Sequence, residues 1–351
     1  MKITKVYTAV LALTSLLFIN CSKGDDDNGG NPPVQETPTI EGTWKVVTNN
    51  YFDDSKYFII NEDNTLHILY EDNLGFKGAQ NANYTNNEEE LQLTINFGYA
   101  SLLANYTVSS DDLVLNFPDG SISLTKETTA LDPDNWIKKL KIINEGDAPW
   151  TESIDIAWNG SQLVIGNGYE AEAIGLVNPE TFALEGTIAT TRSAFAVEIE
   201  NYDDEEKYIF QSDNGNNKFH MYDLADNTHE DESLPLGSWI HGLASIDHQT
   251  IWASSNNEDS IYLYDYDSKT ILQTIDLEEK SPNGLDYQAG YLYICASGQL
   301  YKCDVSDGFE VIESYTLPDY SITGIAYDGS YFWVYAEKNS EGKLVQLDLS
   351  I

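Results

Sequence analysis

From residue 43 onward the chain is a series of short runs in which apolar and polar residues alternate, the pattern of a strand with one buried face. Residues 43–48, 56–60, 65–70, 91–97, 102–108, 113–117 and 121–125 are such runs. Turn-forming clusters separate them, among them Asn61-Glu62-Asp63-Asn64 and Pro118-Asp119-Gly120. Short strands with this punctuation predict a small antiparallel barrel or sandwich over residues 40–127.

Beyond residue 134 the pattern repeats. His241-Gly242-Leu243-Ala244, Asn283-Gly284-Leu285-Asp286 and Thr323-Gly324-Ile325-Ala326 open three similar units. Gly242 and Gly284 are 42 residues apart, and Gly284 and Gly324 are 40 apart. In each unit a second apolar run follows a turn, and a third ends near Asp265, Asp304 or Asp348. Looser copies occupy residues 154–178 and 196–223, and a fourth run closes every unit but the last. A period near 40 with four short strands is the signature of propeller blades. The expectation is an all-β protein: a small barrel or sandwich, then a five-bladed β-propeller over residues 134–351. A strand near residues 136–143 should complete the last blade, leaving no open sheet edge there.

Two resemblances refine this reading. Gly42-Thr43-Trp44, with the strand spacing that follows, resembles the start of the short lipocalin-like domains of bacterial lipoproteins. That resemblance implies that Trp44 closes the barrel base beneath a basic side chain from the last strand. Residues 40–127 contain no arginine, so the role falls to Lys126. Whether the interior holds an apolar ligand or is filled by side chains stays open. Gly324-Ile325-Ala326-Tyr327-Asp328-Gly329, followed by Phe332-Trp333-Val334, resembles five-bladed lactonase- or glutaminyl-cyclotransferase-like propellers. The motif recurs in unrelated propellers, so it specifies fold and not chemistry.

The first residues form an address. Lys2 and Lys5 precede an apolar stretch at 10–19, too short to span a membrane, that ends at Asn20-Cys21. This resembles a lipoprotein signal peptide (1–20), which implies that Cys21 becomes a lipidated N-terminus. The run Asp25-Asp26-Asp27 resembles the surface-export signal of certain Gram-negative lipoproteins. Residues 21–39, rich in Gly, Asp, Asn and Pro, read as a flexible tether. The expected location is the outer membrane, lipid-anchored and exposed at the cell surface.

Composition narrows the partners. The 351 residues carry 58 Asp and Glu against 18 Lys and Arg, a formal net charge of −40. That balance excludes a nucleic-acid binder, which needs clustered cations, and repels anionic ligands wherever no local cation reverses the field. Cys295 and Cys303 flank a turn at Ser297-Gly298; the alternation of strand side chains places them on opposite sheet faces, so free thiols are expected.

In a propeller, the segments leading into the innermost strands and the loops between second and third strands converge at one end of the axis. Here they bring Trp150, Tyr169, Arg192, Phe195, Asp213, Trp239, His241, Asn283 and Tyr320, with Glu152, Glu170, Asn256 and Thr323 nearby. Aromatic faces with amides and one guanidinium make a binding funnel for a glycan, a small nutrient or a surface protein. Arg192 is the only arginine of the chain and would clamp an anionic group. His241 could also serve as a base or a metal ligand. No catalytic motif fits its required context, so the expectation is binding without catalysis. The alternatives are a hydrolase or lyase using funnel carboxylates, and a protein–protein platform without a small ligand. No cofactor is expected; Asp265-Tyr266-Asp267 and Asp223/Asp226 are the candidates for Ca²⁺.

Overall fold

The computed structural model describes residues 38–349 apart from 169–171, 191, 203–205, 214–217, 224–227 and 234–238. The expected signal peptide, Cys21 and nearly all of the expected tether lie outside the described residues. Residues 39–351 form one compact unit.

Eight antiparallel strands close a barrel: β1 (Gly42–Asn49), β2 (Ser55–Ile60), β3 (Thr65–Glu71), β4 (Lys77–Asn87), β5 (Gln92–Asn96), β6 (Ser101–Val108), β7 (Asp112–Phe117) and β8 (Gly120–Lys126). Its interior is filled. Trp44, Phe58, Ile68, Leu93, Leu113 and Ile122 are fully buried in one apolar cluster. Trp44 donates its indole N–H to the Ile40 carbonyl at 2.7 Å. The Lys126 ammonium sits 4.4 Å from the centre of its ring and donates to the Glu41 carbonyl. The Trp44–Lys126 pairing in the β1–β8 register puts the cation on the ring, as expected from the sequence.

A short helix, α1 (Pro133–Trp136), capped by Asp132, leads out of the barrel into β9 (Lys138–Lys139) and β10 (Lys141–Asp147). A ring of sheets follows. The first sheet holds β11 (Ile156–Trp158), β12 (Leu163–Gly166), β13 (Ala173–Val177) and β14 (Leu184–Ala189). The second holds β15 (Ala194–Tyr202), β16 (Glu206–Asp213), β17 (Lys218–Asp223) and β18 (Thr228–Ser233). The third holds β19 (Ile240–Ser245), β20 (Thr250–Ser255), β21 (Ser260–Asp265) and β22 (Thr270–Asp276). The fourth holds β23 (Pro282–Gln288), β24 (Tyr291–Ala296), β25 (Gln299–Asp304) and β26 (Glu310–Thr316), with β9 added in parallel. The last holds β27 (Ser321–Tyr327), β28 (Phe332–Lys338) and β29 (Glu341–Asp348), with β10 as its outer strand.

Two expectations need correction. Four sheets are regular four-stranded blades, against the five predicted; the remaining sheet is five-stranded because β9 joins it. The strand that closes the ring is β10, which shares 141–143 with the expected segment but runs on to Asp147 as it pairs with β29. The cause is local. Trp136 is tied back to the barrel, its indole N–H donating to the Tyr70 carbonyl at 3.1 Å and its ring lying edge-on to Tyr57. Leu140 then buries between the fourth and last sheets, so the chain crosses from one to the other before pairing. The thiols fall as expected: Cys303 opposes Leu292, Cys295 opposes Leu300, and both are buried and free.

The barrel is joined to the ring by the β3–β4 loop. Phe76 buries in the cluster that contains Ile275 and Leu277 of the third sheet, with its ring 4.6 Å from that of Tyr301. Asp72 orders this loop by accepting from the Leu74 and Phe76 amides at 2.9 Å, and its carboxylate pairs with Lys280 at 2.8 Å.

At the ring axis the innermost strands approach so closely that side chains barely fit. A Cβ on Gly242 would lie 2.1 Å from the Asn283 carbonyl oxygen; on Gly284, 2.6 Å from the Gly324 Cα; on Gly324, 2.9 Å from the Asp155 Cα. Aligning the repeats places Asp155, Ala196, Gly242, Gly284 and Gly324 at one position. Asp155 alone carries a long side chain there, and it fills the centre. Its carboxyl accepts from the Leu243 amide at 3.3 Å and from the Ile156 and Val197 amides. Burial, reinforced by Glu198, raises its pKa well above the ordinary carboxylate range, against the three amide hydrogen bonds that lower it.

Gly284→Ala should therefore cost about 1–3 kcal/mol or more in urea unfolding, because the new methyl meets backbone on two sides; unchanged stability would contradict so tight a ring. A second expectation concerns Asp286, where burial lifts the pKa to about 7 despite hydrogen bonds from Gln288, Tyr287 and Tyr327. The folded state holds this proton while the unfolded chain releases it from about 3.8. Stability from this group is thus present at low pH and lost as pH rises towards about 7. Relative to Asp286→Asn, the native chain should lose up to about 1.4 kcal/mol per pH unit across that window. Parallel urea midpoints for the two proteins would refute this.

Candidate functional site

One residue before the axial position, the repeats carry Ile154, Phe195, His241, Asn283 and Thr323. In four of the five sheets the pairing of the innermost strand shifts at this point, between Ala194 and Val197, Ile240 and Gly242, Pro282 and Leu285, and Ile322 and Gly324. Such bulges re-aim side chains. Here they accompany a second tier of side chains next to the packed glycine ring.

Within this tier the hydrogen bonds fix chemistry. Asn283 donates through Nδ2 to the Ser281 carbonyl at 3.3 Å, which leaves its Oδ1 as acceptor. That oxygen receives Asn256 Nδ2 at 3.1 Å and lies 3.1 Å from His241 Nδ1. His241 Nδ1 must therefore carry a proton and donate it. Burial lowers the His241 pKa below its ordinary 6.5, so the ring is neutral and Nε2 is a bare lone pair. Nε2 is buried and has no hydrogen-bond partner. Phe195 stacks on the imidazole at 5.6 Å and 16°. Trp239, held at a φ of +72°, stands edge-on to both rings at 6.2 and 6.3 Å.

Other buried polar atoms at this end of the axis also lack partners: Asp155 Oδ1, both amide atoms of Asn167, and Thr323 Oγ1. Asn167 is held between the first two sheets, since Gly166 donates to the Asp155 carbonyl at 3.3 Å and Gly168 to the Ala194 carbonyl at 2.8 Å. Each unpaired buried polar group costs about 1–3 kcal/mol, so these atoms are the open hydrogen-bonding positions at this end of the axis. The donor and acceptor set is mixed. His241 offers a lone pair, Asp155 a carboxyl oxygen, Thr323 a hydroxyl, and Asn167 both kinds of group.

The structure thus brings together Phe195, Trp239, His241 and Asn283 of the residues expected from sequence. Trp150 lies elsewhere, its indole covering Gly175 in the cluster between the first and last sheets. Tyr320 donates to Glu145 and accepts from Lys338 at 2.9 Å, with that ammonium 4.4 Å over its ring. The Arg192 side chain is exposed, and its carbonyl accepts from Thr190 Oγ1 at 2.6 Å. Tyr169 lies outside the described residues, as does the side chain of Asp213 at the end of β16. Asp265, a Ca²⁺ candidate, accepts from the Ser268 amide and hydroxyl at 2.7 and 2.8 Å. Among the described residues no group of three or more His, Cys, Asp or Glu is placed to hold a metal.

Asp155 and Asn167 were missing from the sequence reading. Asp155 had a signal: it is the one acidic residue where the other repeats have glycine or alanine. Asn167 had none, because nothing in a Gly-Asn-Gly stretch tells a turn from a buried amide.

No protein-family model matches this chain, and no curated protein matches it. Among solved structures it is similar to the glutaminyl cyclase of Myxococcus xanthus, with 13% identity over 60% of this chain and 96% of that one, at a TM-score of 0.46. It is also similar to the PQQ-bound aldose sugar dehydrogenase of Streptomyces coelicolor, with 11% identity over 60% and 97%, at 0.41. A streptogramin B lyase structure shares 10% identity over 88% and 94%, at 0.36. Likenesses this distant say nothing of substrate or reaction. The ring of sheets is a fold suited to holding a ligand or partner at its axis.

The tautomer is measurable. In ¹⁵N–¹H spectra His241 should remain neutral at pH 6.5 with its proton on Nδ1; an imidazolium at that pH would refute the hydrogen-bond assignment.

Proposed function

We propose that this chain is a lipoprotein, anchored through lipid on Cys21 at the outer surface of the outer membrane, that binds a small polar ligand at the propeller axis without catalysing its conversion. The observation that carries this reading is the buried, unpartnered Nε2 lone pair of His241 beside the face of Phe195. A ligand with a hydroxyl or N–H group satisfies the lone pair, while its apolar face covers the ring. Sugars and neutral small nutrients have that chemistry. The net charge of −40 works against anions, so an anionic ligand would need Arg192 as its local cation.

A hydrolase or lyase is the second reading, favoured by one observation: a buried Asp155 whose pKa is raised by burial first and by Glu198 second. Against it, Asp155 is fully buried and bound to the Leu243 amide, so its part in holding the ring together accounts for its environment.

The test is a thermal-shift screen of the full chain against monosaccharides, neutral amino acids, dicarboxylic acids and Ca²⁺. A ligand at about one hundred times its Kd should stabilise the fold by about 2.7 kcal/mol. His241→Ala should weaken binding of the hit by about tenfold or more, a loss of at least ~1.4 kcal/mol. A hit whose affinity is unchanged in His241→Ala would overturn the axial site, and turnover of the hit would favour the enzyme.

A further inference from the structure

The connection between β22 and β23, residues 277–281, ties the barrel to the tier of side chains beside the axis. Three of its residues, Glu278, Glu279 and Ser281, have φ of +48°, +68° and +48°. Residues with a side chain rarely adopt this left-handed region, and it persists only where the surroundings over-determine the backbone. Here they do. Leu277 is fully buried and donates its amide to the Asp259 carbonyl at 2.7 Å. Glu278 donates its amide to the Asp276 carboxylate at 3.0 Å, and Ser281 donates to that of Asp259 at 2.9 Å. The Lys280 carbonyl accepts from Ser297 Oγ at 2.9 Å.

One anchor of this segment comes from the barrel. Lys280 stands between the left-handed residues Glu279 and Ser281, and its ammonium meets the Asp72 carboxylate at 2.8 Å. The lysine side chain is 26% exposed and the aspartate 4%, so salt screens the pair little. The ammonium also lies 5.6 Å from the centre of the Phe76 ring. One residue further on, the Ser281 carbonyl accepts from Asn283 Nδ2 at 3.3 Å and from Asn256 Nδ2 at 3.4 Å. That carbonyl decides which end of Asn283 faces His241. With Nδ2 engaged, Oδ1 is left to receive the proton on His241 Nδ1. Turned end for end, Asn283 would present Nδ2 to Nδ1. The ring proton would then sit on Nε2, and the axial lone pair would become a donor.

We propose that Asp72 and Lys280 are positioning residues of the axial site: their ion pair holds the Ser281 carbonyl in place from the barrel, and so sets whether His241 Nε2 accepts or donates. Without the pair, the left-handed segment loses an anchor and relaxes, and the carbonyl that orients Asn283 and Asn256 moves with it. In the axial reading above, on which this role rests, the pair selects ligands that donate to Nε2 over ligands that accept from it. The barrel thereby becomes part of the specificity of the ring.

The experiment is ¹⁵N–¹H spectroscopy of the His241 ring in the full chain without ligand, below the melting temperature of each variant. Asp72→Asn removes the charge but keeps an oxygen for the Leu74 and Phe76 amides. Lys280→Met keeps an apolar stem beside Phe76. In each, the preference of the ring for Nδ1–H over Nε2–H should fall by about 2- to 30-fold. Lys280→Arg, which keeps the pair, should restore the native spectrum. The double variant Asp72→Asn/Lys280→Met should match the singles, because both remove one interaction. Ser297→Ala, an exposed change that frees the Lys280 carbonyl, should move the ring the same way, and it decides the matter where the other variants do not fold. Lys302→Met removes a cation from over Tyr291 and should leave the ring unchanged. The proposal is overturned by a native His241 spectrum in the folded variants, by an equal shift in Lys302→Met, by effects that add in the double variant, or by a native ring that already carries its proton on Nε2. A shifted ring together with a ligand screen that finds nothing would uphold the positioning role and overturn only the ligand reading.

Discussion

The propeller depends on how close five backbones can come at one axis. Gly242, Gly284 and Gly324 let neighbouring innermost strands touch at distances that no Cβ tolerates. The space left over accommodates one carboxyl group, that of Asp155, which reaches amides of the first three sheets. The surroundings of this carboxyl pull its pKa in two ways. Burial and Glu198 push it up, while amides of three sheets bond its oxygens and hold it down. The chain is strongly acidic, and even its centre is closed by a buried acid.

The tier of side chains beside the axis follows from that packing. Because the axial residues are nearly without side chains, the residues just before them turn where the strand pairing shifts, and Phe195, His241 and Asn283 come into contact around the ring. Their geometry is fixed by backbone groups: the Ser281 carbonyl orients Asn283, and Asn283 sets the imidazole tautomer. Rigid support for a small number of polar atoms is what a specific site requires.

Much of this was legible in the sequence because it rests on periods. The alternation of apolar residues marked the barrel, and the repeat near forty residues marked the ring, with Phe195, His241 and Asn283 among the residues at the blade entries. Lys126 over Trp44 followed from a motif, from the lack of arginine in residues 40–127 and from the place of Lys126 at the end of the last strand. What was missed depended on long-range contacts. The closing strand was placed a few residues early because Trp136 is held by Tyr70 and Tyr57, partners more than sixty residues upstream. Trp150 and Tyr320 have the right repeat phase but find nearer partners in Gly175 and in Glu145 with Lys338. Local pattern names candidates; the neighbouring sheets decide which of them meet.

The last sheet has a bearing on how the molecule is made. Its outer strand, β10, leaves the ribosome about two hundred residues before β29, the strand it must join. Until β29 arrives, β10 has no ladder to complete, and the first and last sheets have no contact across the seam. Every intermediate of synthesis thus presents an unpaired strand and an open sheet flank, a condition that favours mispairing with other chains. The barrel, whose eight strands are all sequential neighbours apart from the β1–β8 closure, can fold while this wait lasts. With Phe76 on its β3–β4 loop seated against the third and fourth sheets, it offers those late-arriving sheets a finished surface on which to assemble.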